Sequence, residues 1–167
     1  MTQEVLRNYL EINSIQDLNE VIESNGDYSL NLLEPINFQL NKFFYKNIGK
    51  KHKWIDRLVW TEEQWINYVS NKNVKTYVFK FKDDLAGFFE LISHGEKKEV
   101  EIAYFGLLEE FQNKKLGSYL LSQAIQKSFK ENTNRVWVHS CTLDHKNALN
   151  NYIARGMKIF KTETIKI

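Results

Sequence analysis

Apolar and polar residues alternate with two different periods along the chain, and the period changes near Asn73. Before that point apolar residues recur every three to four positions in two segments, which indicates amphipathic helices. The elements predicted for this part are a strand at 9–12, a brief helix at 14–21, a strand at 28–33, a helix at 35–49 and a helix that begins at the capping box of 61–64. After Asn73 the period shortens to two, as in strands.

The second part of the chain predicts a sheet followed by a strand–helix–strand unit. The predicted strands at 76–82, 85–93 and 100–107 are joined by short polar connections, so they should form an antiparallel meander. A helix at 115–130, a buried strand at 136–141, a short helix at 147–154 and a closing strand at 158–167 follow. The strands on either side of the long helix should pair in parallel through a right-handed crossover. The predicted fold class is mixed α/β, with a mostly antiparallel twisted sheet flanked by helices.

Composition narrows the class of protein. The 167 residues fit a single domain, and a net charge of +2 creates no long-range field for nucleic acid or an anionic membrane. One cysteine, Cys141, cannot form an intrachain disulfide, which suits a reducing compartment. No apolar run approaches the roughly 20 residues of a membrane span, and Gln3, Glu4 and Arg7 stand where a signal peptide would have its apolar core. We expect a cytoplasmic monomer or homodimer without a membrane partner, a nucleic-acid partner or a metal.

A polar loop between a strand and a long helix is the first candidate for chemistry. The strand Glu101–Leu107 leads into the segment Gln112–Ser118, which opens the helix. Free amides at a helix N-terminus, with the helix dipole behind them, bind anions, and Lys114 and Lys115 add positive charge. The natural ligand is a phosphate or pyrophosphate, although a capped helix with two solvated lysines explains the same residues.

This loop resembles the acyl-CoA pyrophosphate loop of the GNAT acetyltransferases, whose pattern is Gln/Arg-x-x-Gly-x-Gly/Ala. Gln112 matches the first position and Gly117 the last, whereas Lys115 stands in place of the middle glycine. Asn113 occupies another position that glycine often holds, and asparagine tolerates left-handed backbone angles.

A second motif lies downstream, where Ala148-x-x-x-Tyr152-x-x-x-Gly156-Met157 resembles the GNAT signature Ala-x-x-x-Tyr-x-x-x-Gly-Phe. The stretches 54–60 and 136–145 are also similar to a bacterial GNAT subgroup of undefined substrate. The resemblance implies one GNAT-type domain whose splayed middle strands bind acyl-CoA. Residues 1–73 would form the acceptor side of this domain, and residues 74–167 would form the acyl-CoA-binding core.

The resemblance also implies roles for individual residues in a direct transfer of acetyl from acetyl-CoA to an amine. A lysine-like amine is almost wholly protonated at pH 7, so a base is needed, and Glu101 is the expected one. Tyr152 is the expected acid that protonates the CoA thiolate. The residues expected to contact the co-substrate acetyl-CoA are Phe105, Gly106, Leu107, Gln112, Asn113, Lys114, Lys115, Leu116, Gly117, Ser118, His145 and Ala148.

The amine acceptor is expected opposite CoA, against the loop that follows the first helix. The candidate contacts in this loop are Trp54, Asp56, Arg57 and Trp60. A carboxylate beside aromatic rings suits a cationic amine, while Arg57 would either hold a substrate carboxylate or pair with Asp56 as part of the structure. A small-molecule amine and a peptide amine both remain open. His139 is interpreted as a buried, hydrogen-bonded histidine and Cys141 as a small core residue.

Two other functions fit parts of the sequence. A non-catalytic GNAT-fold module that binds acyl-CoA as a sensor would explain Lys115 in the glycine position. A nucleic-acid-binding domain would use the basic and aromatic residues around the segment 46–53, which contains Lys46, Lys50, Lys51, His52 and Lys53. The near-zero net charge argues against the second, because nucleic-acid affinity depends on basic surface.

Overall fold

One seven-stranded sheet and four α-helices make up the computed structural model, which describes residues 2–23, 26–112, 114–130 and 132–166. The strands are β1 (Glu4–Ile12), β2 (Tyr28–Leu32), β3 (Val74–Phe81), β4 (Asp84–His94), β5 (Glu99–Leu107), β6 (Arg135–Cys141) and β7 (Lys158–Lys166). The helices are α1 (Phe38–Gly49), α2 (Glu62–Ser70), α3 (Leu116–Ser128) and α4 (Ala148–Ala154). Within these ranges no helix has the length and apolar character needed to cross a membrane.

The sheet has the mixed, mostly antiparallel character that the sequence predicts. Its strand order is β2-β3-β4-β5-β6-β1-β7, and the meander of β3, β4 and β5 is confirmed. The pair β5–β6 is parallel, whereas the other paired strands are antiparallel. The crossover between β5 and β6 contains α3, whose apolar side is buried against the sheet through Leu120, Leu121 and Ile125.

Strand β1 differs most from its prediction. It begins at Glu4 rather than Tyr9 and lies between β6 and β7, among strands of the second part of the chain. Residue 73 therefore does not divide the sheet into two halves. The polar residues that interrupt the apolar pattern of this strand have partners on β7. The Tyr9 hydroxyl donates to Glu163 over 2.6 Å, and Arg7 lies 3.9 Å from the same carboxylate.

One helix is shorter than predicted, and another begins later. The brief helix expected at 14–21 is capped by the Ser14 hydroxyl as predicted, but it is a single 3₁₀ turn, Ile15–Asp17, and does not continue to Val21. The helix expected from Pro35 begins at Phe38, because the Asn37 side chain accepts a hydrogen bond from the Gln39 amide and so serves as the N-cap. The capping box at Thr61 is formed as predicted.

The middle of the sheet opens between β5 and β6. Only three residue pairs join the two strands, from Glu99 opposite Arg135 to Glu101 opposite Trp137. Both strands then continue, β5 to Leu107 and β6 to Cys141, without pairing to each other. The backbone groups along these parted edges are therefore available to a ligand. This opening is the splay of the middle strands that the sequence resemblance implies.

Candidate functional site

A cavity of about 860 Å³ occupies the opening between β5 and β6. Its walls come from the parted strands, the start of α3, one side of α4 and the loop between α1 and α2. This volume is within the range of small-molecule and cofactor sites, roughly 300–1,000 Å³. The cavity is therefore large enough for an extended ligand that reaches from α3 to the α1–α2 loop.

The start of α3 closes one end of the cavity and has the features of an anion site. Lys115 is the N-cap residue, with φ 63° and ψ 10°, and its side chain caps no amide of the first turn. These are the left-handed angles that the family glycine would adopt at low cost, so the lysine preserves the turn. Gln112 ties the loop to β5, because its Nε2 donates to the Leu107 carbonyl over 3.1 Å. The amides of Gly117 and Ser118 and the Lys115 ammonium can thus meet one anion.

Most of the residues expected to contact CoA line this cavity. They are Phe105, Gly106, Leu107, Gln112, Lys115, Gly117, Ser118, His145 and Ala148. Leu116 does not, because its side chain is buried in the core. The Lys114 ammonium lies 5.7 Å from the centroid of the Phe111 ring and is also absent from the lining. Asn113 lies outside the described residues.

Tyr152 supplies a protonated hydroxyl to the middle of the cavity. The side chain extends from α4, its ring centroid lies 6.5 Å from that of Phe105, and the residue is only 6% exposed. Burial raises the pKa of Tyr152 well above its ordinary value, and the Asp144 carboxylate adds to the rise. The phenol therefore keeps its proton at neutral pH. Its hydroxyl has no hydrogen-bond partner within the described ranges, which leaves it free to donate to a ligand.

Glu101 lies just outside the cavity wall. Its Cα pairs with Trp137 at the last position before β5 and β6 part, and the next residue, Ile102, lines the cavity. The carboxylate is 18% exposed, and its Oε1 lies 3.2 Å from Nε2 of His94. Glu101 therefore stands at the closed end of the opening and does not line the cavity.

Two of the four expected acceptor contacts line the cavity. Trp54 packs edge-on against Tyr104, with ring centroids 4.8 Å apart, and forms part of the wall opposite α3. Asp56 also lines the cavity, and its side chain is exposed. A carboxylate beside two aromatic rings can attract a cationic amine by charge and by cation–π contact. This is the acceptor chemistry that the sequence suggested for the loop.

The other two contacts, Arg57 and Trp60, are absent from the lining and belong to a buried cluster beneath the loop. Arg57 pairs with Glu90 rather than with Asp56, at 2.9 Å from Nη1 to Oε1, and Glu90 is fully buried. Burial alone would lower the pKa of Arg57, but the Glu90 carboxylate outweighs it and keeps the guanidinium charged. The guanidinium carbon also lies 4.8 Å from the Trp60 ring centroid and 4.2 Å from that of Tyr68.

The Glu90 carboxylate accepts two further hydrogen bonds in this cluster. The Tyr68 hydroxyl donates to Oε1 over 2.7 Å, and the Asn41 amide donates to Oε2 over 2.8 Å. Because Arg57 is one residue from Asp56, the buried pair fixes the backbone from which Asp56 enters the cavity. Arg57 and Trp60 therefore belong to the packing beneath the loop and not to the cavity wall.

Several cavity residues were not assigned to a site from the sequence. The lining also includes Arg7, His52, Tyr104, His139, Cys141 and Asp144. The interpretation of His139 as buried and hydrogen-bonded is wrong, because the side chain is exposed to the cavity and has no hydrogen-bond partner among the residues the structure describes. Cys141 is half-buried, and burial raises the pKa of its thiol, so the thiol stays protonated at neutral pH. No trio of His, Cys, Asp or Glu within the described ranges is arranged to hold a metal ion.

Comparison with known proteins identifies the family of the chain. The profile of the acetyltransferase (GNAT) family matches residues 36–157, which is well over half of the chain, and the chain belongs to this family. Comparison with curated proteins gave no significant match.

Three solved structures illustrate the similarity of fold. A GCN5-related N-acetyltransferase from Kribbella flavida is 14% identical, with a TM-score of 0.66 over 99% of this chain and 58% of that one. An aminoglycoside acetyltransferase from an uncultured soil metagenomic sample, in complex with sisomicin, is 13% identical, with a TM-score of 0.66 over 80% of this chain and 90% of that one. A Bacillus subtilis acetyltransferase in complex with CoA is 20% identical, with a TM-score of 0.59 over 80% of this chain and 78% of that one. The chain spans 51% to 61% of the length of several structures that it matches over nearly all of its own length.

Proposed function

We propose that the chain binds acetyl-CoA between β5 and β6 and transfers the acetyl group directly to a primary amine. One observation carries this proposal: a single cavity joins an anion-binding helix start, two parted strand edges and the free hydroxyl of Tyr152. Family membership supports it, as does the CoA bound to the Bacillus subtilis structure of the same fold.

Each part of the cavity suits one part of the cofactor. The pyrophosphate would accept hydrogen bonds from the amides of Gly117 and Ser118, where the helix dipole contributes roughly half a positive charge. The pantetheine arm would run along the parted edge of β5, beside His145 and Ala148. The backbone amides near Phe105 would then polarise the thioester carbonyl, which stabilises the oxyanion of the transition state.

The proposed reaction needs two proton transfers. The neutral form of the bound amine, in equilibrium with its ammonium form, attacks the thioester carbon with its lone pair. A C–N bond forms, and the C–S bond breaks. Tyr152 donates its proton to the departing thiolate, which gives free CoA. The ammonium-like nitrogen loses a proton as the C–N bond forms. We propose that the Glu101 carboxylate assists this proton transfer, because it lies beside the opening although outside the lining.

We propose that the acceptor is a cationic small-molecule amine. Asp56, Trp54 and Tyr104 form the wall where the acceptor would enter, and this combination attracts an ammonium group. The metagenomic structure of the same fold holds an aminoglycoside, sisomicin, which agrees with a cationic acceptor. As the single cysteine, Cys141 suits a reducing compartment, and we propose that the reaction takes place in the cytoplasm.

A panel of amines, assayed with acetyl-CoA by release of free thiol, tests the proposed function. The panel contains polyamines, aminoglycosides, amino acids and short peptides. Turnover with a cationic small molecule is the expected result, and turnover with peptides alone would correct the acceptor class. Acetyl-CoA binding without turnover of any amine would favour the acyl-CoA sensor instead. Tyr152→Phe should retain acetyl-CoA binding and lose about 10²-fold or more in turnover.

A further inference from the structure

His139 is a titratable side chain in the cavity that has no role in the account above. It lies on β6 two residues after Trp137, so both side chains share one face of the sheet. Glu101 pairs with Trp137 and lies on the same face, at the point where β5 and β6 part. His139 therefore stands on the cavity side of the opening, and Glu101 stands at its closed end.

The surroundings of His139 leave its imidazole free for a ligand. The Tyr9 ring on β1 lies against it, with ring centroids 5.6 Å apart, but no described residue forms a hydrogen bond with either ring nitrogen. The charged groups around it come from four segments: Arg7 on β1, Glu101 on β5, Asp144 after β6 and Asp56 in the α1–α2 loop. The imidazole thus feels the charge both of Asp56, which would hold the acceptor, and of Glu101, at the closed end of the opening.

We propose that His139 is a catalytic residue that accepts the proton from the attacking amine directly, and that Glu101 stabilises the imidazolium that forms. This inference rests on the proposed acetyl transfer. As the C–N bond forms, the N–H bond electrons return to nitrogen and the proton goes to the imidazole. The imidazolium later loses that proton to water. Tyr152 protonates the thiolate, and the phenolate that remains regains a proton from water, so charge and atoms balance over the cycle.

The electrostatic environment supports this assignment. The cavity walls around His139 remove part of its hydration, and this desolvation lowers the pKa of His139 below the ordinary 6.5. The Arg7 guanidinium lowers it further, so the imidazole is neutral at pH 7 and can accept a proton. The carboxylates of Glu101, Asp144 and Asp56 act in the opposite direction and favour the imidazolium. A base that is neutral before the reaction and stabilised once it is charged is suited to general-base catalysis.

Glu101 does not line the cavity, so a residue that does line it must take the proton from the amine, and His139 fits this role. The carboxylate of Glu101 contacts His94 at 3.2 Å, on the side away from the opening. It can therefore act on His139 through space, whereas His139 contacts the ligand space itself. Under this assignment, loss of Glu101 weakens the base and loss of His139 removes it.

The test compares the turnover of three purified variants with that of the wild-type chain. The substrates are acetyl-CoA and an amine that the panel shows to be accepted. His139→Gln removes the proposed base, Glu101→Gln removes the stabilising charge, and His94→Gln is the matched control, a histidine on the same face of the sheet that does not line the cavity. We expect kcat to fall about 10²- to 10⁴-fold for His139→Gln. Smaller losses are expected for Glu101→Gln and the smallest for His94→Gln.

Chemical rescue distinguishes a proton acceptor from a structural residue. His139→Ala should regain part of its kcat when imidazole is added, in proportion to the neutral imidazole present, while Tyr152→Phe should not respond. A His139→Gln variant that keeps kcat within about threefold of the wild type would overturn the inference, as would a His139→Ala variant that binds acetyl-CoA normally but is not rescued. If the wild-type chain turns over no amine at all, the proposed function itself fails, which is a separate result.

Discussion

The buried pair of Arg57 and Glu90 should be the most sensitive point of the acceptor loop. Arg57→Met keeps much of the side-chain volume but leaves the Glu90 carboxylate, which is 0% exposed, without its counter-charge. Removal of one partner from a buried ion pair costs about 3–5 kcal/mol. In a chain of this length 1 kcal/mol corresponds to a shift of roughly 2–4 °C in Tm. The melting temperature should therefore fall by about 6–20 °C.

Arg135→Met is the matched control, because Arg135 also pairs with carboxylates but does so nearer the surface. Its guanidinium lies 2.8 Å from Glu11 and 3.1 Å from Glu99, and the side chain is 24% exposed. Pairs in contact with water contribute about 0–1 kcal/mol, so the control should lose far less stability than Arg57→Met.

Urea unfolding of both variants gives the free energy of unfolding, and steady-state kinetics gives the functional consequence. Since Arg57 fixes the loop that carries Trp54 and Asp56, a folded fraction of Arg57→Met should show a higher KM for the amine and an unchanged affinity for acetyl-CoA. Equal losses of stability in Arg57→Met and Arg135→Met would refute the reasoning. So would a double variant, Arg57→Met with Glu90→Gln, that is no more stable than Arg57→Met alone.

Three further predictions concern Lys115 at the start of α3, Gly156 after α4, and the dependence of the free energy of unfolding on pH. Lys115→Ala should weaken acetyl-CoA binding, mainly at low salt. Lys115→Gly should recover part of the affinity, because glycine adopts φ 63° without strain. Binding titrations at two salt concentrations test this, and wild-type affinity in both variants would refute it. Gly156→Ala should cost on the order of 1–3 kcal/mol, since φ is 107° and an added Cβ would lie 2.2 Å from the Asp17 carbonyl oxygen; an unchanged Tm would contradict this. Because the pKa of His139 is lowered in the folded chain, the unfolded chain binds more protons than the folded chain in acid. The free energy of unfolding should therefore fall as the pH drops below 6.5. His139→Gln should reduce this dependence of the free energy of unfolding on pH.

The sequence is informative where one local motif determines both structure and chemistry. The α3 start was predicted because Gln112, Lys115 and Gly117 lie within one short loop, and all three line the cavity. Tyr152 was found by its spacing to Ala148 and Gly156, and its hydroxyl faces the same cavity. In both cases the relevant neighbours are close in sequence.

The parts that were missed depend on partners distant in sequence. Arg57 has its partner Glu90 33 residues away, so the sequence could not distinguish a buried ion pair from an acceptor contact. Similarly, β1 is stabilised by an ion pair and by hydrogen bonds with β7, at a separation of 154 residues for Tyr9 and Glu163. Without β1 in place, the exposure of His139 to the cavity could not be inferred, because Tyr9 and Arg7 supply part of its surroundings.

The central claim is that acetyl-CoA occupies the cavity between β5 and β6 with its phosphates at the start of α3, and one pair of melting curves tests it directly. Saturation at about 100 times Kd adds roughly 2.7 kcal/mol to the stability of the bound chain, which corresponds to a rise of about 5–11 °C in Tm.

The variant Gly117→Asp makes this measurement specific to the site. A Cβ at Gly117 would lie 3.8 Å from Asn151 and 3.9 Å from Leu107, which are ordinary contacts, and a carboxylate in the first turn of α3 interacts favourably with the helix dipole. The variant should therefore fold as stably as the wild type, but its charge should repel the pyrophosphate. The account predicts a large rise in Tm with acetyl-CoA for the wild type and none for Gly117→Asp; equal shifts in both, or no shift in the wild type, would contradict it.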